Sequence, residues 1–259
     1  SGKTIYNTEE QIEDSRHPVS YTLETNGYDM NNLKDIVEIP IYAIPEWTMK
    51  TSLGDYSEKA MQQFSMLAYD TPETVIKISD YNKVAALYGN EQYSLNDDEY
   101  MVLCDFEQMI DLRNEALKQN SNIEINGKTY HAKYKECKDG FVLMSTSNMN
   151  AGIILVPDSF EIKEEYTEQY FLAANYNAET EEEKIELNNV LAGEVDSELF
   201  DNLSEKEINL EGMTKISLTE ASKGLSTIII FIAIYLGIVF LIASSAILAL
   251  KQLTESSDN

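Results

Sequence analysis

The feature that most constrains this chain is an uncharged segment near its C-terminus. Leu225–Leu250 reads LSTIIIFIAIYLGIVFLIASSAILAL, and Lys251 follows it directly. From Ile228 onward, its apolar residues would form an α-helix of about 35 Å, against a hydrocarbon layer of about 30 Å. A buried helix of a soluble protein normally keeps a polar stripe, and this segment has none. The sequence therefore predicts a membrane-spanning helix.

The position of this segment predicts the organisation of the chain. Residues 1–222 form a large polar part, 223–250 the membrane helix, and 251–259 the start of a cytoplasmic segment. Lysines stand on both sides of the segment, so the positive-inside rule does not fix the orientation. Because residues 1–222 form a large, acidic, arginine-poor domain, we expect this domain on the outer side of the membrane. Ser1 takes the place of an initiator Met and no other apolar span is present, so we expect a piece of a larger membrane protein.

The charge of the chain is strongly negative, with a formal net charge of −26 and a pI near 4.3. Nucleic acid is excluded as a partner, because phosphate binding needs clustered Lys and Arg and the chain has only Arg16 and Arg113. An acidic surface attracts cationic peptides at long range, while solvated turns and helix faces explain the same residues equally simply. The residues we select for peptide steering form two acidic runs: Asp97, Asp98, Glu99 and Glu181, Glu182, Glu183.

Alternating strand and helix patterns predict an α+β fold for residues 1–222, a mixed α/β extracellular domain of one or two lobes, followed by one long transmembrane helix from about Leu218 to Leu250. Asn126-Gly127 is the strongest hairpin signal in the chain. The other main predictions are strands at Glu73–Ile78, Glu99–Cys104, Gly152–Val156 and Tyr166–Asn175, and helices at Ser57–Leu67, Asp80–Tyr88, Phe106–Gln119 and Glu181–Leu191.

Three further strand predictions rest on weaker patterns. Val19–Glu24 alternates apolar and polar residues and predicts a strand. Ile36–Ile44 is rich in β-formers, but Pro40 predicts an edge strand or a broken one. Phe141–Ser145 is a short apolar run that also predicts a strand.

No catalytic, cofactor or metal site is predicted, and we expect no enzyme activity in this chain. The two histidines, His17 and His131, are too few and too distant for the usual zinc or triad sites. Cys104 and Cys137 are in neither a CxxC nor a metal-ligand spacing. A disulfide and two free thiols both remain open for this pair, since the outcome depends on the compartment.

The membrane segment and its exit resemble a known family. IYLGIVFLIASSAILALKQLTESSDN (Ile234–Asn259) is similar to the FtsX-like ABC permeases of Gram-positive bacteria, and most similar to the BceB-type permeases of bacitracin export. The segments ISDYNKVAALYG (Ile78–Gly89), SLNDDEYMVL (Ser94–Leu103) and IILVPDSF (Ile153–Phe160) resemble strand–helix–strand parts of that family's extracellular domains. Residues 1–60 and 161–215 carry no such resemblance.

The resemblance implies a multi-pass permease of the plasma membrane that pairs with a separate cytoplasmic ABC ATPase subunit. It also implies export of, or resistance to, antimicrobial peptides or other amphiphiles, and sensing together with a membrane histidine kinase. The partners would be a peptide or lipid substrate and the membrane itself. MacB-type and lipoprotein-releasing permeases share such a helix and differ in task. A single-pass anchored binding or sensory ectodomain and a membrane-anchored enzyme are the alternatives outside the family.

Small residues in the predicted membrane helix form a surface suited to close helix packing. We expect this surface to face other helices of the full permease, with lipid contact as the alternative. The residues are Gly237, Ala243, Ser244, Ser245 and Ala246.

Overall fold

The structure is a computed structural model of the chain. It describes residues 2–4, 17–65, 67–119, 122–145, 147–192, 197–206, 208, 211–221, 234 and 236. The chain divides into two compact units, Ser1–Lys215 and Ile216–Asn259. Within the described residues, no helix is both long enough and apolar enough to cross a membrane. The predicted membrane helix, with Gly237, Ala243, Ser244, Ser245 and Ala246, lies almost wholly outside the described residues and stays a prediction.

The first unit is built on a mixed sheet, and nine strands of it are described, in the order β5-β6-β4-β7-β3-β2-β8-β1-β9. Two neighbouring pairs are parallel, β4 with β6 and β3 with β7, and the other pairs are antiparallel. The strands are β1 (Gly2–Thr4), β2 (Leu33–Thr48), β3 (Pro72–Lys77), β4 (Glu99–Leu103), β5 (Asn122–Ile125), β6 (Lys128–Ala132), β7 (Ile153–Val156), β8 (Thr167–Tyr176) and β9 (Glu211–Met213).

Helices connect and cover these strands, which confirms a mixed α/β unit. They are α1 (Val19–Thr25), α2 (Met49–Leu53), α3 (Ser57–Gln63), α4 (Ile78–Tyr88), α5 (Glu107–Gln119), α6 (Glu181–Ala192) and α7 (Glu198–Glu205). Gly89 ends α4 in the left-handed conformation at φ 75°, as the sequence predicts. Asn126 and Gly127, at φ 53° and 72°, form the predicted hairpin turn between β5 and β6.

The central strands bury both of their faces. All four residues of β7, Ile153–Val156, are buried, and they alternate between two apolar clusters on opposite sides of the sheet. Tyr81 and Val84 of α4 belong to the first cluster, and Leu117 of α5 belongs to the second. Helices therefore cover the middle of the sheet on both faces, which explains why these strands are continuously apolar.

Pro40 was expected at an edge or a break, and the structure places it in an internal strand. It pairs with Tyr170 of β8, on one side of β2. On the other side, the pairing with β3 begins only at Tyr42. The proline therefore lies in a part of β2 that pairs with β8 alone, and the other side of the strand makes no ladder hydrogen bonds there that a proline could interrupt.

Two of the weaker strand predictions are wrong. Val19–Glu24 lies in helix α1, where Val19 and Leu23 are buried and Tyr21 is exposed. The spacing of Val19 and Leu23 fits one helix face as well as a strand, which is why the alternation misled. Residues 141–145 lie in a loop, where Val142 is buried and Leu143 is exposed.

Candidate functional site

The most distinctive feature of the described unit is the connection between β6 and β7, residues 133–152, which we call the β6–β7 loop. Among its described residues, 133–145 and 147–152, the regular structure is limited to one isolated bridge, between Leu103 and Lys138. Loops without secondary structure rarely exceed about 12–15 residues in a compact domain, and longer ones are usually functional or disordered. This loop is tied to the domain at many points, which makes it a candidate functional element.

Two tyrosines of the α4 region, half-buried Tyr88 and buried Tyr93, bind the loop backbone. The hydroxyl of Tyr88 donates a hydrogen bond to the carbonyl of Val142 at 3.1 Å. The hydroxyl of Tyr93 donates one to the carbonyl of Asp139 at 2.9 Å. Burial raises the pKa of both tyrosines, and nearby Glu91 adds to this at Tyr93. Both hydroxyls therefore remain protonated donors across the physiological range.

Asn150 fixes the far end of the loop through both its backbone and its side chain. Its backbone N–H donates to the Asp105 carboxylate at 2.7 Å, and its side-chain amide donates to the Gly140 carbonyl at 2.8 Å. Its side-chain oxygen accepts from the N–H of Gly152 at 3.0 Å. Burial raises the pKa of Asp105, and the N–H of Asn150 partly opposes that shift. One residue thus holds two segments of the loop together and joins them to the end of β4.

A buried ion pair supports the same end of the loop. Arg113 of α5 forms a two-point contact with the Glu73 carboxylate of β3, with its Nη2 at 2.9 Å from Oε2. The two side chains are 3% and 4% exposed. Burial disfavours the charged form of Arg113 and by itself would lower its pKa. The Glu73 carboxylate has the larger effect, so the pKa of the guanidinium is raised. The Nε of Arg113 also donates to the carbonyl of Ala151 at 3.1 Å, so the pair binds the loop directly.

Gly152 allows this close approach. A Cβ built at this position would lie 2.3 Å from Nη2 of Arg113, and its φ of 153° is unfavourable for other residues. The glycine is therefore required by the fit between the loop and the guanidinium.

The two cysteines meet where the loop leaves the sheet. The N–H of Cys104 donates to the carbonyl of Lys138 at 3.0 Å, and the N–H of Lys138 donates to the carbonyl of Val102 at 2.9 Å. The side-chain oxygen of Asn114 accepts from the N–H of Cys137 at 2.7 Å. The thiol of Cys137 lowers the pKa of Cys104, whereas the thiol of Cys104, together with burial, raises the pKa of Cys137.

The middle of the loop exposes apolar side chains. Leu143 is 40% exposed and Met149 is 68% exposed, the largest fraction among the large apolar side chains that the structure describes in the first unit. Phe141 stacks on Tyr88, with ring centroids 5.8 Å apart, and so fixes the base of this exposed part. Methionine adapts its shape to irregular apolar partners. The loop therefore presents an adaptable apolar tip, which we define as Leu143, Met144 and Met149, on a rigidly held base.

The first acidic run takes part in local structure. Asp97 accepts a hydrogen bond from the Ser159 hydroxyl at 2.7 Å, and its carbonyl accepts one from Lys128 at 2.9 Å. Glu99 accepts from the N–H of Asn96 at 2.8 Å. Asp98 is exposed, and its carbonyl accepts from the N–H of His131. This run forms a turn that leads into β4, and lysines already lie beside it.

The second acidic run begins helix α6, following β8. Glu183 caps the helix by accepting from the N–H groups of Glu179 and Thr180, and this lowers its pKa. Glu181 pairs with Lys184, while Glu182 is exposed. Strands β7, β3 and β2 separate β4 from β8 in the sheet, so the fold gives the two acidic runs different locations.

The sequence did not single out the loop contacts. Arg113 carried one usable signal, because it lies on the same helix face as Met109, Leu112 and Ala116, where an unpaired charge would be costly. Its partner Glu73 lies on another element and has no local signal. Among the described residues, no group of three or more His, Cys, Asp or Glu side chains could hold a metal ion.

Comparison with known proteins provides no relative from which the role of this site could be inferred. No protein-family model, no curated protein and no solved structure matches this chain.

Proposed function

We propose that this chain is a piece of an FtsX-like ABC transporter permease of the BceB type. Residues 1–222 would be its extracellular domain and 223–250 the membrane helix that follows. The uncharged segment Leu225–Leu250 and its resemblance to that family support this assignment, as does the mixed α/β unit that precedes the segment. ATP hydrolysis belongs to a separate cytoplasmic ATPase subunit. The chain contributes substrate handling and, with a membrane histidine kinase, sensing.

The observation that carries the substrate class is the apolar tip of the β6–β7 loop. An antimicrobial peptide or peptide–lipid complex combines apolar groups with charge. Leu143 and Met149 offer exposed apolar contact area, and the tyrosine, asparagine and arginine contacts below them keep the loop in one conformation. A pre-organised loop loses less conformational entropy when it binds. The tip is therefore suited to the apolar part of an amphiphile.

The decisive experiment uses the intact permease in its own cell. Deleting the gene is expected to lower the minimal inhibitory concentration of bacitracin-like peptide antibiotics several-fold, and deleting the ATPase gene should do the same. Leu143→Ser with Met149→Ser should lower resistance without lowering the amount of permease in the membrane. Ile36→Ser is the matched control, because Ile36 is 42% exposed on β2, outside the loop.

Each alternative function predicts a different result in these experiments. Unchanged peptide susceptibility with mislocalised lipoproteins would replace the BceB-type assignment with a lipoprotein-releasing one. Peptide binding that needs no ATPase and no further spans would indicate a single-pass sensory ectodomain. Equal resistance in the loop variant and the Ile36→Ser control would reject the tip as a substrate contact.

Two further proposals rest on the sequence alone. One concerns helix packing during transport, and the other concerns the rate at which a peptide associates with the extracellular domain. Gly237→Leu or Ser244→Leu should lower transport by separating packed helices, whereas Ile238→Leu, similar in volume, should not.

Neutralising Asp97–Glu99 or Glu181–Glu183 should slow peptide association at low salt. The effect should shrink at physiological ionic strength, where the screening length is about 8 Å. Equal association rates at both salt concentrations would leave the acidity to solubility alone.

A further inference from the structure

Met149 is the most exposed of the methionines that the structure describes. Its side chain is 68% exposed, whereas Met101 and Met109 in the core are 1% and 3% exposed. The remaining described methionines are half-buried: Met30, Met49, Met61, Met144 and Met213. Among the described thioethers, that of Met149 is therefore the one that a small solute reaches most easily.

Hydrogen bonds at the next residue keep this side chain outside. The carbonyl of Asn150 accepts from the N–H groups of Asp105 and Phe106, both at 3.1 Å. Its own N–H donates to the Asp105 carboxylate at 2.7 Å, and its side-chain amide donates to the Gly140 carbonyl at 2.8 Å. Met149 could turn into the core only if these bonds broke. Its exposure is therefore a property of the fold.

We propose that Met149 is a reversible oxidation site, and that its conversion to methionine sulfoxide makes the apolar tip of the β6–β7 loop polar. Sulfoxide formation replaces a flexible apolar side chain by a polar one, and reductases reverse it. Met149 belongs to none of the apolar clusters that the described residues form, so the change leaves the packing below the tip intact. The site stands on this geometry alone, whereas its consequence for a ligand rests on the proposed function.

The oxidant is a peroxide, with hydrogen peroxide as the simplest case. A lone pair of the Met149 sulfur attacks one peroxide oxygen, and the O–O bond breaks. The hydrogen on the transferred oxygen passes to the leaving hydroxide, which becomes water. The sulfur loses two electrons and gains the oxygen. In the reverse step, a reductase removes that oxygen as water while two thiols become a disulfide.

The first experiment treats the full chain, purified in detergent, with hydrogen peroxide for increasing times. Trypsin leaves Met101 and Met109 in the peptide 84–113 and Met149 in the peptide 139–163, where fragment spectra assign the added oxygen to one residue. Met149 should be oxidised about tenfold or more faster than Met101 and Met109, because the fold shields those thioethers from the peroxide. In urea the three rates should become similar, because the thioethers are chemically alike.

The same time course contains the result that would overturn the proposal. If Met149 in the folded chain is oxidised no faster than Met101 and Met109, it is not an oxidation site. The melting curve followed by Trp47 fluorescence should stay unchanged while Met149 alone is oxidised, since this side chain is outside the core. A lowered melting temperature at that stage would show that the modification disturbs the packing, against the proposal.

The second experiment measures the consequence for a ligand, with bacitracin as the probe and the peroxide removed beforehand. Binding to the full chain should weaken several-fold after oxidation and recover after treatment with methionine sulfoxide reductases, one for each sulfoxide epimer. In Met149→Leu, which has no sulfur at this position, peroxide should leave the affinity where it was before the treatment. An equal loss in this variant and in the wild-type chain would show that another residue is responsible.

Failure of the site and failure of the proposed function give different results. Selective oxidation of Met149 with unchanged bacitracin binding would support the oxidation site and reject the tip as a contact of this peptide. Bacitracin that does not bind the untreated chain would count against the proposed function in the same way. In both cases the rates of oxidation still decide whether Met149 is the modified residue.

Discussion

The buried pair of Arg113 and Glu73 gives the sharpest stability prediction. Replacing Glu73 by Gln keeps the size of the side chain and removes its charge, which leaves the guanidinium of Arg113 buried without a counter-charge. Both side chains are nearly inaccessible to water, at 3% and 4% exposure, so solvent cannot compensate the loss. Removing one partner of a buried ion pair costs about 3–5 kcal/mol.

This loss is large compared with the stability of an ordinary domain. For a unit of this size, each kcal/mol lowers the melting temperature by roughly 2–4 °C, so Glu73→Gln should lower it by roughly 6–20 °C. Arg113→Met should cost a similar amount, because it leaves the Glu73 carboxylate unpaired and removes the donor to the Ala151 carbonyl. The double variant should cost less than the sum of the two, by about 0.5–3 kcal/mol, because neither charge is then left alone.

The chain provides its own reporter and its own control. Trp47 is the only tryptophan, it is fully buried, and it packs against Tyr100 with ring centroids 5.4 Å apart, so its fluorescence reports unfolding of this unit. The pair of Glu115 and Lys118 on α5 is about half exposed, and Glu115→Gln should cost no more than about 0.5 kcal/mol. Urea unfolding in which Glu73→Gln and Glu115→Gln cost the same, or in which the double variant is strictly additive, would refute the reasoning.

Two further predictions concern the same end of the loop. Gly152→Ala should lower the free energy of unfolding by about 1–3 kcal/mol in urea titrations, because the new methyl group would overlap the buried guanidinium, and by more than Gly127→Ala, where the space is open. Burial raises the pKa of Asp105, so the folded chain binds that proton more tightly than the unfolded chain and stability falls as pH rises above about 3.9. Asp105→Asn should therefore gain stability relative to wild type over that rise, and a constant difference in melting temperature across pH would contradict this.

The elements that the sequence predicts correctly are those with local signals. The hairpin of β5 and β6 follows from Asn126-Gly127, because both residues adopt the positive φ that the turn demands. Helix α4 ends at Gly89 for a similar reason. Strand β7 is a short apolar run bounded by Gly152 and Pro157, and its burial on both faces explains why no alternation is present.

At Pro40 and in residues 141–145, distant partners decide the structure, whereas the local pattern suggests a different one. Pro40 is tolerated because β3 pairs with β2 only from Tyr42 onward, and no local pattern reveals where a neighbouring strand starts. The apolar run at Phe141–Ser145 has strand-like composition, yet its carbonyl partner is the hydroxyl of Tyr88 on α4. Side-chain contacts of this kind replace strand pairing, and they depend on the assembled fold.

The candidate site was hidden for the same reason. The contacts that join the β6–β7 loop to the rest of the unit connect residues far apart in sequence, such as Arg113 with Ala151 or Tyr93 with Asp139. Leu143 lies in the short apolar run that predicts a strand, and Met149 has no sequence signal of its own. Their exposure depends on the position of the loop in the folded unit, which the sequence pattern does not reveal.

The buried ion pair is better understood as a device for fixing the loop than as a source of stability. Replacing such pairs by apolar residues of similar size is often neutral or stabilising, so charge burial alone would not explain it. Here the guanidinium has a second task, because its Nε satisfies the carbonyl of Ala151. An apolar replacement of both Glu73 and Arg113 would leave that carbonyl without its donor, and an unpaired buried polar group costs about 1–3 kcal/mol. The pair thus specifies where the loop meets the sheet, beside Gly152 and at the start of β7. That placement keeps the base of the loop rigid while its apolar tip remains exposed.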